Sequence, residues 1–250
     1  MKKFGLLGRK LGHSYSPQIH KFFYNNEYKL YEKEPEEIEQ FLKSGELDGM
    51  NVTIPYKKDV IPYCTRLSDT AEKIGAVNTI VKEADGSLTG YNTDYYGFLY
   101  MMKAAKAEVK GKKAIVLGDG GASLTCQTVL KDLEAGSITV ISLFSDENNY
   151  DNIYKHYDAQ IIVNATPVGM YPNVNESIID LKPFTKCEAV LDIIYNPKKT
   201  MLLKQADELG INNANGILML IAQAKQSAEF FTGEKIDDSI IEKIAEELEV

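Results

Sequence analysis

Four short segments gather hydroxyls, amides, an ammonium and a carboxylate: His13-Ser14-Tyr15-Ser16-Pro17, Asn51-Val52-Thr53-Ile54-Pro55-Tyr56-Lys57, Gly75-Ala76-Val77-Asn78-Thr79 and Gly90-Tyr91-Asn92-Thr93-Asp94. Each is read as lying at the end of a β-like run. In an open α/β sheet the carboxyl ends of the strands face one crevice, so groups delivered there converge on one ligand. The combination fits a hydroxylated, non-phosphorylated small molecule.

Lys57 and Asp94 are the pair able to move a proton. Pro55 favours the first turn of a helix, which predicts Lys57 near that helix's positive end. Such a placement costs about 0.3–1 kcal/mol unless an anion is close, and so implies a partner or a task. The plain alternative is a solvated lysine beside Lys58. Asn92, Thr93 and Asp94 all qualify as caps of the helix that follows, yet one helix needs one cap. The residue left over can serve a ligand, and a carboxylate opposite Lys57 would make a coupled acid–base pair. Ser14 and Ser16 as caps, and Asn51 and Asn78 as turn residues, are equally simple readings when each is taken alone.

A second kind of chemistry is carried by Gly118-Asp119-Gly120-Gly121-Ala122, between a strand and a helix. Glycines there allow a tight turn and let backbone amides approach a pyrophosphate. A connector that merely needs glycine is the simpler account. Asp119 would repel the pyrophosphate unless its side chain turns away. His13, His20 and His156 lack ligand spacing and read as structural, and no metal site is expected.

The elements that must position these groups alternate strand and helix, as in βα units with a mostly parallel sheet. Strands are expected at 4–7, 49–53, 76–81 and 87–91, the last two as a hairpin around Asp85-Gly86. Helices are expected from Pro17 with Ser16 as cap, over 35–43, over 69–74, and from Asp94 to about Ala107. Lys110-Gly111-Lys112-Lys113 then breaks the pattern and reads as a domain boundary. Beyond it come strands at 114–117, 138–143, 161–164 and 189–193, and helices from the glycine turn to about Leu133, over 200–209, over 217–231 and from Asp238 onward. The stretch 145–158 is short for a complete crossover helix.

Composition narrows the partners. A net charge of -8 argues against nucleic acid and anionic membranes. The 3 cysteines are far apart and suggest neither a disulfide framework nor zinc. Arg9 and Lys10 interrupt the apolar start before a signal core forms, and no stretch approaches a membrane span, so a cytoplasmic protein is expected. Arg9 and Arg66 are the only arginines.

These motifs resemble the shikimate dehydrogenase family. H-S-x-S-P-x-x-H is matched by His13, Ser14, Ser16, Pro17 and His20; N-V-T-x-P-x-K by Asn51, Val52, Thr53, Pro55 and Lys57; G-A-V-N-T by Gly75 to Thr79; and G-x-N-T-D by Gly90, Asn92, Thr93 and Asp94. Asn164-Ala165-Thr166 with Gly169-Met170, Asp192 with Tyr195 and Pro197, and Asn215-Gly216 with Met219, Leu220 and Gln223 extend the likeness over nearly the whole chain.

The resemblance implies a two-domain α/β protein. A mixed α/β substrate domain, 1–95 with 217–250, would join a Rossmann-like dinucleotide domain, 96–216, with the C-terminal helices returning to the first domain. It implies reversible reduction of 3-dehydroshikimate to shikimate in aromatic amino-acid biosynthesis. Ser14 and Ser16 would hold the substrate carboxylate, and Asn51, Thr53, Asn78, Asp94 and Gln223 would serve its hydroxyls. Tyr195 would help close the site, and Lys57 with Asp94 would handle the proton. Gly118, Gly120, Gly121, Ala122, Thr166, Gly216 and Met219 would bind the cofactor.

That cofactor is NADP by resemblance. The family's N-R-T-type segment, whose arginine meets the 2'-phosphate, is replaced here by Ser142-Leu143-Phe144-Ser145-Asp146, so NAD is the alternative. A monomer or homodimer is expected. The competing readings are an NAD-linked quinate or shikimate dehydrogenase, and a cofactor-deficient shikimate-binding regulatory protein.

Overall fold

The computed structural model describes residues 2–12 and 14–248, so His13 lies outside the described residues. The chain forms two compact units, one of residues 1–93 with 221–244 and the other of 94–220 with 245–250.

The first unit is built on a mixed sheet. Its strands are β1 (Lys3–Gly8), β2 (Glu27–Glu32), β3 (Gly49–Val52), β4 (Arg66–Leu67), β5 (Thr79–Lys82) and β6 (Leu88–Tyr91), in the order β2-β1-β3-β5-β6-β4. β1 runs parallel to β2 and β3, whereas β5 is antiparallel to β3 and β6. The β5–β6 hairpin turns at Gly86, at φ +84, a backbone region that glycine enters without cost. Leu7, Val52, Val77 and Ile80 form a core with Ile38 and Leu42 of the helix α2 (Ile38–Lys43).

Two differences from the sequence expectation are local. The helix α1 (Ser16–His20) is capped at Tyr15, and Ser16 is its first residue with no side-chain cap bond. Pro35–Glu37 forms a 3₁₀ turn leading into α2, closed by reciprocal bonds between Glu34 and Glu37. The helix α3 (Asp69–Ile74) is as expected, with the Ser68 hydroxyl accepting from the Ala71 amide.

β2 was not expected. Its residues Glu27, Lys29 and Glu32 are exposed, and pairing with β1 makes them the rim of the sheet.

The second unit starts with the helix α4 (Asp94–Ala104) and carries five parallel strands: β7 (Lys113–Leu117), β8 (Ser137–Ile141), β9 (Ile161–Asn164), β10 (Ala189–Asp192) and β11 (Asn212–Asn215). Their order is β11-β10-β9-β7-β8. The break at 110–113 is therefore a turn inside this unit. Phe98, Met101 and Met102 of α4 pack on Ala114, Val116, Val129 and Leu191, so burial of that apolar face binds α4 to the second sheet.

The helix α5 (Gly121–Asp132) follows the glycine turn, and α6 (Met201–Glu208) is capped by the Thr200 hydroxyl. The helix α7 (Ile217–Thr232) begins in the second unit and continues into the first, and α8 (Ser239–Glu247) follows. Tyr150–His156, between β8 and β9, is 3₁₀. No described helix is long and apolar enough to cross a membrane.

Candidate active site

In the first unit the polar segments meet at one end of the sheet because of strand direction. β1 and β3 both finish there; β5 runs the other way, so the residues before it arrive at the same end, and β6 returns to it. Backbone bonds lace the segments together. The Thr53 amide donates to the Leu7 carbonyl at 2.9 Å, Val52 to Asn78 at 2.8 Å, Val77 to Lys57 at 2.7 Å and Asn78 to Tyr91 at 3.0 Å. Lys57 thus comes from a loop whose backbone is tied directly to the segment carrying Asn78.

That loop is not a helix. After β3 the chain passes through a cis Ile54–Pro55 bond and a run of turns from 54 to 60, so the expected helix end beneath Lys57 is absent. The restriction that proline imposes is met by a turn, and the Lys57 position owes nothing to a helix dipole.

Beneath these loops lies a buried hydrogen-bonded network. Asn51 is 5% exposed, and its Nδ2 donates to Ser227 Oγ at 2.7 Å and to Thr79 Oγ1 at 3.0 Å, while its Oδ1 accepts from the Tyr28 hydroxyl at 2.8 Å. Both polar atoms of Asn51 are therefore engaged inside the protein. Asn78 Oδ1 accepts from the Thr93 amide at 2.7 Å. Thr93 Oγ1 lies 3.1 Å from Ser227 Oγ and donates to Gln223 Oε1 at 3.4 Å. Gln223 and Ser227 stand four residues apart on α7, one above the other on one helical face. Ser227 and Tyr28 were not singled out in the sequence.

His20 completes the base of this network. Its ring stacks on Tyr28 at 4.1 Å, and Nδ1 lies 2.7 Å from the Tyr24 hydroxyl. Burial pulls its pKa down to about 3, so the ring is neutral and structural, as expected. Ser16 is buried, and the Ser14 Oγ accepts from the Ser16 amide at 3.2 Å. Ser14, Thr53, Lys57 and Gln223 are half-buried in the first unit, as are Asp94 and Tyr195 in the second.

The second unit has its own ligand-type geometry. From β7 the chain steps to β8 on one side and then to β9 on the other, so the strand order reverses at β7 and opens a crevice at the carboxyl ends. Gly118 occupies that point at φ +97, where an added Cβ would meet Thr166 Cγ2 at 2.8 Å and the Ala165 carbonyl at 3.2 Å. Gly120 caps α5 with no side-chain bond, and the space beside Gly120 and Gly121 is open. The first-turn amides of α5, through Ala122, can therefore face an anion, which fits a dinucleotide's pyrophosphate. The Asp119 carboxylate turns to Ser142, whose Oγ donates to Oδ2 at 2.5 Å.

Asp192, fully buried, organises the rest of this crevice. It accepts from Thr200 Oγ1 at 2.6 Å, Asn164 Nδ2 at 3.0 Å and the Ile194 amide at 3.1 Å. Desolvation pushes its pKa up to about 6, against the pull of those three donors. Asn164 Oδ1 in turn accepts from Thr166 Oγ1 at 2.7 Å, which fixes the loop after β9. Gly216 donates to the Ile194 carbonyl at 2.9 Å, and a Cβ there would fall 1.9 Å from the Ile193 carbonyl oxygen. Met219 is buried in the core below.

A parallel sheet with a glycine turn at its switch point, on one chain with a mixed sheet whose strand ends gather amides and hydroxyls, defines a Rossmann-like two-unit α/β protein. Residues 6–80 match the family model for the shikimate dehydrogenase substrate binding domain. A shikimate dehydrogenase (NADP(+)) of Clostridium perfringens is 40% identical over 99% of this chain and 98% of its own length. A chorismate mutase/shikimate 5-dehydrogenase fusion protein from Clostridium acetobutylicum superposes with TM-score 0.93 at 37% identity, covering 100% of this chain and 97% of that one. The shikimate 5-dehydrogenase of Thermus thermophilus, crystallised with NADP(H) and shikimate, gives TM-score 0.88 at 29% identity over 99% of each chain. The chain belongs to the shikimate dehydrogenase family.

Proposed function

We propose that this protein catalyses the reversible reduction of 3-dehydroshikimate to shikimate, a step of aromatic amino-acid biosynthesis, as a cytoplasmic monomer or homodimer that binds no nucleic acid. One observation carries the reading: three polar segments separated in sequence, 51–57, 75–79 and 90–93, are hydrogen-bonded together at one end of the first unit's sheet.

In this reading Ser14 and Ser16 hold the substrate carboxylate. Asn78, Thr53, Asp94 and Gln223 meet its hydroxyls, and Tyr195 helps to close over it. Asn51 acts one layer below, holding Thr79 and Ser227 so that Asn78 and Thr93 keep their places. Lys57 and Asp94 carry the proton: the ammonium donates to the oxygen that gains charge as the carbonyl is reduced, and the carboxylate stabilises the ammonium.

A nicotinamide dinucleotide, NADP in the named relatives, supplies the hydride. The amides of Gly118, Gly120, Gly121 and Ala122 would hold its pyrophosphate, with Thr166, Gly216 and Met219 lining the crevice. The test is an assay of shikimate oxidation beside the Lys57→Ala variant. Turnover should fall by roughly 10²–10⁴ in the variant while the circular dichroism spectrum is kept. A folded variant with wild-type turnover would remove Lys57 from the mechanism, and a wild-type protein that binds shikimate but oxidises none would leave only a binding protein.

A further inference from the structure

Asp119 is exposed in the turn between β7 and α5, yet its position is set by a specific bond. Oδ2 accepts from Ser142 Oγ at 2.5 Å, and the same Oγ accepts from the Phe144 amide at 3.1 Å. Ser142 is the first residue beyond β8, the strand paired with β7. The carboxylate is thus fixed across the carboxyl ends of two neighbouring parallel strands. In a dinucleotide-binding βαβ unit, this corner receives the adenosine ribose. An acid there accepts from a free 2'-hydroxyl, whereas a 2'-phosphate calls for arginine.

The surroundings offer a 2'-phosphate no arginine. No arginine occurs after Arg66. The segment that follows β8 holds Asp146, Glu147, Asp151 and Asp158 against Lys155 and His156, whose ring burial keeps from protonating readily. Leu143 and Phe144 are 79% and 89% exposed beside Ser142, giving an apolar cover suited to an uncharged nucleoside face. Tyr150, on the same connector, has its hydroxyl pKa raised by burial and then by the charge of Asp119, which places that carboxylate's field over the corner.

We infer that Asp119, steadied by Ser142, reads the ribose 2' position of the bound dinucleotide and selects NAD over NADP. This deepens the dehydrogenase reading and rests on it.

Binding, measured apart from turnover, tests it. The full chain is titrated with NADH and with NADPH, following nicotinamide fluorescence, and with 5'-AMP and 2',5'-ADP by calorimetry. NADH should bind roughly tenfold or more tightly than NADPH, since like charges held together at a site strongly disfavour the wrong partner. Asp119→Asn keeps the side-chain shape and an acceptor oxygen, so it should bring the two affinities within roughly threefold, mainly by strengthening NADPH. NADPH binding ahead of NADH in the wild type, or a preference unchanged in Asp119→Asn, overturns the inference alone. Failure of both dinucleotides to bind overturns the dehydrogenase reading together with it.

Discussion

Asn51 stands where a free amide would serve a ligand well, yet both of its polar atoms are spent within the protein on Ser227, Thr79 and Tyr28. Truncating it leaves several buried donors and acceptors without partners, each worth about 1–3 kcal/mol. Asn51→Ala should therefore lower the melting temperature by roughly 2–4 °C for each kcal/mol lost. A variant that melts with the wild type but binds shikimate poorly would instead make Asn51 a direct ligand. The types and spacing of Ser14, Asn78, Lys57 and Asp94 were legible in the sequence because short motifs carry them. Ser227 was not, because it meets Asn51 across 176 residues and looks like any helical serine. The Ser142 partner of Asp119 was equally silent, being a contact between two strand ends rather than a pattern along one.

At the level of elements, the expected positions of most helices and of the parallel strands matched because apolar runs and glycine punctuation mark them. Three strands escaped. β2 is a charged rim, β4 is only Arg66–Leu67, and β11 is Asn212-Asn213-Ala214-Asn215, a turn-like composition made into a strand by backbone pairing with β10. Lys57 shows the opposite failure, since a proline restriction compatible with a helix was satisfied by a turn. The β7–α5 turn gives a sharp prediction. Gly118→Ala puts a Cβ 2.8 Å from Thr166 Cγ2 in a left-handed backbone region, which costs about 1–2 kcal/mol before the clash is counted. Dinucleotide affinity measured by fluorescence titration should fall with it. Loss of neither stability nor dinucleotide affinity would show that this turn tolerates a side chain. Thr200→Ala removes the cap of α6 and a donor to Asp192 together, so its cost should exceed the typical ~1 kcal/mol of a lost cap in urea unfolding.

Across the whole molecule, two buried groups make stability depend on pH in opposite senses. The His20 pKa is depressed from 6.5 to about 3 in the fold, so its contribution is present above 6.5 and is lost as pH falls toward 3. The Asp192 pKa is raised from 3.8 to about 6, so its contribution is full below 3.8 and is lost as pH rises through 6. Urea midpoints from about pH 4 to about pH 8 should show a flatter acid limb in His20→Gln and less loss above about pH 6 in Asp192→Asn. An acid limb unchanged in His20→Gln would assign that limb to other groups. The rim strand β2 ends the first unit's sheet on one side. Glu27, Lys29 and Glu32 line an otherwise open template for another strand, with Lys29 paired to Glu27 at 2.9 Å, so a neighbour adding there must strip water from charge. Fibrous growth along that rim is thereby discouraged, and Lys29→Ile is the single change expected to release it, visible as rising light scattering with age.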